Sequence, residues 1–140
     1  MSRIKVLLAD CYQMEREALQ AVLEEAGFEV VGHAATPRSA IDFAKLLRPD
    51  VAVLGTRLPE MGAVATGRLL SGLETPIRWL LLASSTEEKY MVEAMLAGAS
   101  AYVPRLQSVR ELVHGLIEAQ PVVEVHRRDA NTPLLYPDDA

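Results

Sequence analysis

Short continuous apolar runs alternate along this chain with longer amphipathic segments. An uninterrupted apolar run is typical of a parallel strand that is buried on both faces, because helices then cover both sides of the sheet. The alternation therefore predicts repeated βαβ units around one parallel sheet. The predicted strands are residues 4–9, 28–33, 51–54, 77–83 and 101–103.

Helix start signals separate these strands. Thr36 is a predicted N-cap with Pro37 at the first helical position, and residues 85–88 and 108–111 have the pattern of capping boxes. Residues 62–73 are predicted to be helical despite three glycines, which lower helix propensity. Two stripes at four-residue spacing are predicted to pack in the core: Met14, Ala18, Val22 and Ala26, widened by Leu19 and Leu23, and Met91 with Met95.

Composition excludes several classes of protein. The 140 residues carry 14 Lys and Arg against 19 Asp and Glu, a net charge of −5, so no basic surface for nucleic acid is indicated. Cys11 is the one cysteine, which argues against a disulfide framework and a zinc site and favours a reducing cytoplasm. The apolar run 79–83 is far too short to cross a bilayer. We therefore expect a cytoplasmic domain without nucleic-acid or membrane partners.

Three segments carry a resemblance to a known family. Residues 6–11 (VLLADC), 48–62 (RPDVAVLGTRLPEMG) and 94–105 (AMLAGASAYVPR) resemble the motif blocks of response-regulator receiver domains. Residues 98–102, followed by residues 108–113, look most like receivers attached to LuxR-type output domains. The resemblance implies a flavodoxin-like α/β fold with five helices and a five-stranded parallel sheet in the order 2-1-3-4-5. It assigns residues 1–119 to a receiver-like domain, and the prolines and polar residues of 120–140 indicate a tail or linker.

A working receiver, as the resemblance implies, transfers a phosphoryl group to an aspartate. The reaction needs oxygen ligands for Mg²⁺, the carboxylate nucleophile, and a hydroxyl and an ammonium group to stabilise the phosphoryl oxygens. Most of that set is missing here. Asp10 matches the first acid, but Cys11 replaces the second, and Gly55 stands at the phosphoacceptor position. Ala83 stands at the hydroxyl position, unless a shift of the alignment by one residue places Ser84 there. Arg105 replaces the lysine.

We therefore expect a pseudo-receiver that accepts no phosphate, uses no cofactor or metal, and is not an enzyme. Arg57 follows the acceptor position by two residues, and two interpretations stay open. Its guanidinium either pairs with Asp10 in place of a metal ion or is solvated in a loop. Tyr102 matches the family's switch aromatic, and it is either part of a surviving switch or simply packed at a strand edge.

The resemblance also implies partners. We expect a homodimer, formed through the fourth helix, fifth strand and fifth helix or through the first and fifth helices, with Leu106 and Val109 as candidate interface residues. The protein is then the regulatory domain of an atypical regulator of transcription, with an output domain or another protein as partner. The alternative is a small-molecule sensor that binds its ligand in the vacated pocket between Asp10, Gly55, Ala83 and Arg105.

Overall fold

The computed structural model describes residues 3–83, 88–104 and 109–118. Strands and helices alternate through all of this range, as predicted. The predicted capping boxes of the fourth and fifth helices lie largely outside the described residues. The elements are β1 (Lys5–Ala9), α1 (Gln13–Glu25), β2 (Glu29–Ala34), α2 (Pro37–Leu47), β3 (Val51–Gly55), α3 (Gly62–Ser71), β4 (Arg78–Ala83), α4 (Glu88–Leu96), β5 (Ala101–Pro104) and α5 (Val109–Glu118).

The five strands form one parallel sheet in the order β2-β1-β3-β4-β5, which confirms the predicted topology. β3 lies at the centre and is buried along its whole length. Ala9 of β1 pairs with Leu54 of β3, and Gly55 pairs with Leu82 of β4. The ends of β1, β3 and β4 therefore meet at one edge of the sheet, where ligands bind in open parallel sheets.

Helices cover both faces of the sheet. Leu7 and Ala9 of β1 pack with α2, α3 and α4, whereas Val6 and Leu8 pack on the other face with α1 and α5. This alternation explains why each strand is a continuous apolar run, since successive side chains enter two different cores. No helix among the described residues is long and apolar enough to cross a membrane.

The predicted core stripe of α1 is confirmed at Leu23, which is buried, and at Leu19, which packs against the core, but it is wrong for most of the residues at four-residue spacing. Met14 is 83% exposed, Ala18 and Ala26 are also exposed, and Leu23 carries the burial of this helix. A four-residue step overshoots a helical turn by about 40°, so a stripe at this spacing drifts around the helix and leaves the core.

The predicted burial of Met91 and Met95 is wrong as well. Their side chains are 38% and 47% exposed, while Ala94 and Ala97 face the core in their place. The small alanines allow α4 to lie close to the sheet, so the longer methionine side chains remain at the surface.

The N-terminus of α2 forms as predicted. The Thr36 hydroxyl accepts a hydrogen bond from the Ser39 amide at 3.1 Å, and the Thr36 amide donates to Ser39 Oγ at 3.2 Å. Pro37 occupies the start of the helix, where no amide donor is needed. The two side chains together satisfy donors that the first turn leaves without intrahelical partners.

α3 forms despite its glycines because one of them makes room for the tryptophan of β4. The Trp79 ring is fully buried against Gly67, and a Cβ on Gly67 would lie 2.3 Å from ring carbon Cε2. Trp79 Nε1 donates to Ser71 Oγ at 2.9 Å, which fixes the ring against the end of α3. The glycine therefore sets the distance between α3 and the sheet.

We predict that Gly67→Ala destabilises the fold by about 1–3 kcal/mol, because the added methyl overlaps a ring that cannot move. Helix propensity alone predicts a stabilisation of roughly 1 kcal/mol, so the two explanations differ in sign. Urea unfolding followed by fluorescence of Trp79, the one tryptophan of the chain, measures the change. Gly72→Ala is the matched control, because its Cβ would meet nothing closer than 3.6 Å. A Gly67→Ala variant as stable as this control would refute the packing argument.

Candidate functional site

The polar residues singled out in the sequence gather where β1, β3 and β4 end. Asp10 follows β1, Gly55 is the last residue of β3, and Ala83 is the last residue of β4. Gly55 has no side chain and Ala83 has only a methyl group, so neither offers a functional group at this edge. The predictions for Ser84, Arg105, Leu106 and the side chain of Val109 lie outside the described part of the chain.

Asp10 is buried, with 2% of its surface exposed. Its amide donates to the carbonyl of Ala34 at 3.0 Å, which continues the pairing of β1 with β2. Its Oδ1 accepts a hydrogen bond from the Tyr12 amide at 3.1 Å, which closes a tight turn after the strand. Backbone contacts that involve no cation therefore fix the position of this carboxylate.

Arg57 supplies the cation. Its Nη2 lies 3.4 Å from Asp10 Oδ2 and 3.4 Å from Glu15 Oε1 on α1, so the guanidinium bridges two carboxylates. The guanidinium carbon also lies 4.5 Å from the centre of the Tyr12 ring, within range of a cation–π interaction. Of the two interpretations of Arg57, the structure has the paired one.

Two opposing effects act on the pKa of Arg57. Desolvation is the largest single cause and favours the neutral form, but the charges of Asp10 and Glu15 and their hydrogen bonds together outweigh it and raise the pKa. The side chain is still 35% exposed, so solvent screens these interactions. The guanidinium therefore carries its positive charge beside Asp10 at neutral pH.

The donor set at this edge does not fit Mg²⁺. The ion requires near-octahedral oxygen ligands, whereas Cys11 offers a soft thiol and is exposed, and Gly55 offers no side chain. Both oxygens of Asp10 are already engaged, one by the Tyr12 amide and the other by Arg57. The described residues contain no cluster of three His, Cys, Asp or Glu side chains that would hold a metal ion.

A second group of polar side chains, which the sequence did not reveal, ties α1 to the ends of β1 and β2. Arg16 Nη1 donates to the carbonyl oxygen of Asp10 at 2.6 Å, and Arg16 Nε donates to His33 Nδ1 at 3.2 Å. Because Nδ1 is then the acceptor, Nε2 of His33 carries the proton and donates to Gln20 Oε1 at 2.7 Å. No local motif marks these contacts, since they depend on β2 lying beside β1.

Tyr102 lies on β5 opposite Leu81. It is half-buried and packs against the core that α2, α3 and α4 share. This placement agrees with an aromatic packed at the edge of the sheet. The same position is compatible with a switch, so both interpretations remain.

An open parallel sheet in this strand order, with an acidic residue after β1 and its candidate site at the carboxyl edge, defines the architecture of a receiver domain. The chain matches the family described as response regulator receiver domain over residues 6–117, and it belongs to that family. Receiver domains of this family act in two-component signalling.

Individual proteins support the assignment. The chain is 38% identical over 101 residues to the DNA-binding transcriptional activator DevR/DosR of Mycobacterium tuberculosis, covering 71% of this chain and 46% of that protein. It is 35% identical over 107 residues to a protein-glutamate methylesterase/protein-glutamine glutaminase of Alkalilimnicola ehrlichii, covering 74% of this chain and 27% of the relative. The signal receiver domain of the response regulator NarL from Mycobacterium tuberculosis has a TM-score of 0.77 and 25% identity, with 84% of this chain and 96% of that chain covered. The chain thus spans about half or less of the length of these two curated relatives.

We predict that His33 makes stability depend on pH. Burial, and next the positive charge of Arg16, lower its pKa below the ordinary 6.5, outweighing Glu17 and Glu24. The unfolded chain then binds a proton at His33 more readily than the folded chain does. The contribution of His33 to the free energy of unfolding is therefore complete above pH 6.5 and is lost as the pH falls through the lowered pKa.

Urea midpoints measured between pH 5 and pH 8 for wild type and His33→Gln test this sign. The difference between the two proteins isolates His33 from the other titrating groups. Wild type should lose more stability than the variant on the acid side, and parallel curves would contradict the prediction.

We predict that Asp10 and Arg57 are energetically coupled. A double-mutant cycle of Asp10→Asn with Arg57→Met should give a coupling of roughly 1–3 kcal/mol. Asp10 is buried, so water does not replace the charge that its carboxylate loses when Arg57 is removed. The matched cycle of Glu15→Gln with Arg57→Met should give about 0.5 kcal/mol, since Glu15 is one-third exposed. Urea unfolding near pH 7 provides all the free energies. Equal couplings in the two cycles would refute a special role for the buried pair.

Proposed function

We propose that this receiver domain signals without phosphorylation, as the regulatory and dimerisation domain of an atypical response regulator that controls transcription. The observation that carries the proposal is the guanidinium of Arg57 beside Asp10, over a strand end at which the acceptor position is Gly55. A tethered cation takes the place of an exchangeable one, and no carboxylate remains at the acceptor position.

The chemistry of the site supports this function. Phosphoryl transfer to a protein requires a nucleophile, and Gly55 has only its main chain, whose carbonyl accepts a hydrogen bond from the Leu58 amide at 3.3 Å. A metal ion would have to displace Arg57 from Asp10 and would still lack a second oxygen ligand at Cys11. Under this proposal the chain itself is not an enzyme, needs no cofactor, and acts through binding.

The relatives support the link to transcription. DevR/DosR is a DNA-binding transcriptional activator, and the match covers less than half of its length. We propose that in the full-length protein residues 1–119 form the receiver-like domain and residues 120–140 a linker to an output domain that binds DNA in the cytoplasm. The domain described here would not itself contact nucleic acid, consistent with its net charge of −5.

The alternative of a small-molecule sensor has less support. Its attraction for an anionic ligand depends on the charges of Arg57 and Arg105, and Arg105 lies outside the described residues. Arg57 is already bound to the carboxylates of both Asp10 and Glu15, so a ligand would compete with two tethered anions.

We predict that wild type gains no mass when it is incubated with acetyl phosphate and Mg²⁺. Intact-mass spectrometry measures the gain, and a phosphorylatable receiver in the same tube controls for the donor. The chain offers a matched variant, Cys11→Asp with Gly55→Asp, which restores both missing carboxylates. This variant is expected to gain one phosphoryl group to a measurable extent, whereas one phosphoryl group on wild type would overturn the proposal.

A further inference from the structure

The guanidinium of Arg16 connects the imidazole ring of His33 to the turn that follows β1. Its Nη1 donates to the Asp10 carbonyl oxygen at 2.6 Å, and its Nε donates to His33 Nδ1 at 3.2 Å. Both donors belong to one rigid planar group, so a displacement of Nε also displaces Nη1. The imidazole ring and the backbone beside the buried Asp10 carboxylate are therefore structurally linked.

This bridge exists only while the ring of His33 is neutral. Nδ1 accepts the Arg16 hydrogen bond with its lone pair, and protonation of the ring places a hydrogen on that atom. Two donors, each on a cation, would then face each other across 3.2 Å. Because no hydrogen bond offsets this repulsion, one of the two groups must leave the contact.

The ring is held more firmly than the guanidinium. His33 lies within β2 and pairs with Leu8 of β1, and its Nε2 donates to Gln20 Oε1 at 2.7 Å. The hydrogen bond to Gln20 survives protonation and becomes stronger, because its donor is then charged. Arg16 is half-buried at the end of a flexible side chain. Arg16 is therefore the group that moves.

The charged groups that act on the ring lie on α1. Burial, and next the positive charge of Arg16, lower the pKa of His33, whereas the negative charges of Glu17 and Glu24 oppose this shift less strongly. Within the described chain, β1 and α2 also pack against β2, but neither contributes a charge to this balance. The ring is therefore neutral at pH 7 and gains its proton below pH 6.5.

We propose that protonation of His33 releases Arg16 from the Asp10 carbonyl and so loosens the turn that holds the buried carboxylate beside Arg57. At neutral pH the bridge is closed, and the site keeps one arrangement. In acidic solution the bridge opens, and the peptide group between Asp10 and Cys11 loses a hydrogen bond. The candidate site then responds to pH, an input that the proposed function does not include and on which it does not depend.

A pH titration of the 140-residue chain followed by NMR tests this link. The Cys11 amide is the reporter, because its nitrogen shares a peptide group with the carbonyl oxygen that Arg16 binds. The Asp10 amide is less specific, since it bonds to the carbonyl of Ala34, the neighbour of His33. Between pH 4.5 and pH 8, the Cys11 amide and the His33 ring should shift with the same midpoint.

Two variants test the path of the coupling. In Arg16→Met the bridge is absent, so the Cys11 shift should be lost, while the His33 ring still titrates with a higher midpoint. Glu24→Gln is the matched control, because it removes a charge that acts on the ring, keeps an acceptor for Gln20 and leaves the bridge intact. In this control the midpoints of His33 and Cys11 should fall together.

Three results would overturn the inference. The first is a wild-type Cys11 amide that does not follow the His33 ring, and this comparison needs no substitution. The second is a Cys11 shift that persists in Arg16→Met, because the coupling would then pass through the pairing of β1 with β2. The third is a separation of the two midpoints in Glu24→Gln.

Discussion

The buried carboxylate of Asp10 is the constraint around which the candidate site is organised. Removing a carboxylate from water costs several kcal/mol unless charge and hydrogen bonds offset the loss. Backbone geometry holds Asp10 in place, because its amide belongs to the pairing of β1 with β2. The Tyr12 amide and the Arg57 guanidinium supply the compensation. A guanidinium attached to the chain compensates the charge of Asp10 at every concentration of free metal ion, whereas a bound ion would dissociate when that concentration falls.

The same carboxylate ties together elements that are distant in sequence. Arg57 follows β3 yet contacts Glu15 of α1, and Arg16 on the next position of α1 binds the carbonyl oxygen of Asp10 and the ring of His33. The ends of three strands and the first turn of α1 thus share one network of charges and hydrogen bonds. In our account this network keeps the site in one arrangement, so assembly with another molecule, rather than a change of charge at Gly55, carries the signal.

Sequence patterns predicted the fold well where they depend on local chemistry. Continuous apolar runs located all five strands, and Thr36 with Pro37 located the start of α2. Asp10, Gly55 and Arg57 were also correctly predicted to share one site, from the family resemblance and because they lie at or just after the ends of two neighbouring strands. Spacing failed on α1 and α4, because periodicity alone does not show which of two neighbouring apolar stripes meets the sheet. On α1 the predicted Leu23 is buried whereas the predicted Met14 is exposed, and on α4 Ala94 is buried rather than Met91. The contacts of His33 were unpredictable for a related reason, since they exist only once β2 pairs with β1.

A magnesium titration followed by NMR tests the central claim, that Arg57 occupies the place of an exchangeable cation at Asp10. The amide resonances of Asp10, Gly55 and Arg57 report directly on that position. Our account predicts no saturable shift of these resonances at millimolar Mg²⁺ in wild type. Saturable shifts centred on Asp10, with release of the Arg57 side chain, would show that a metal ion displaces the guanidinium and would contradict the account.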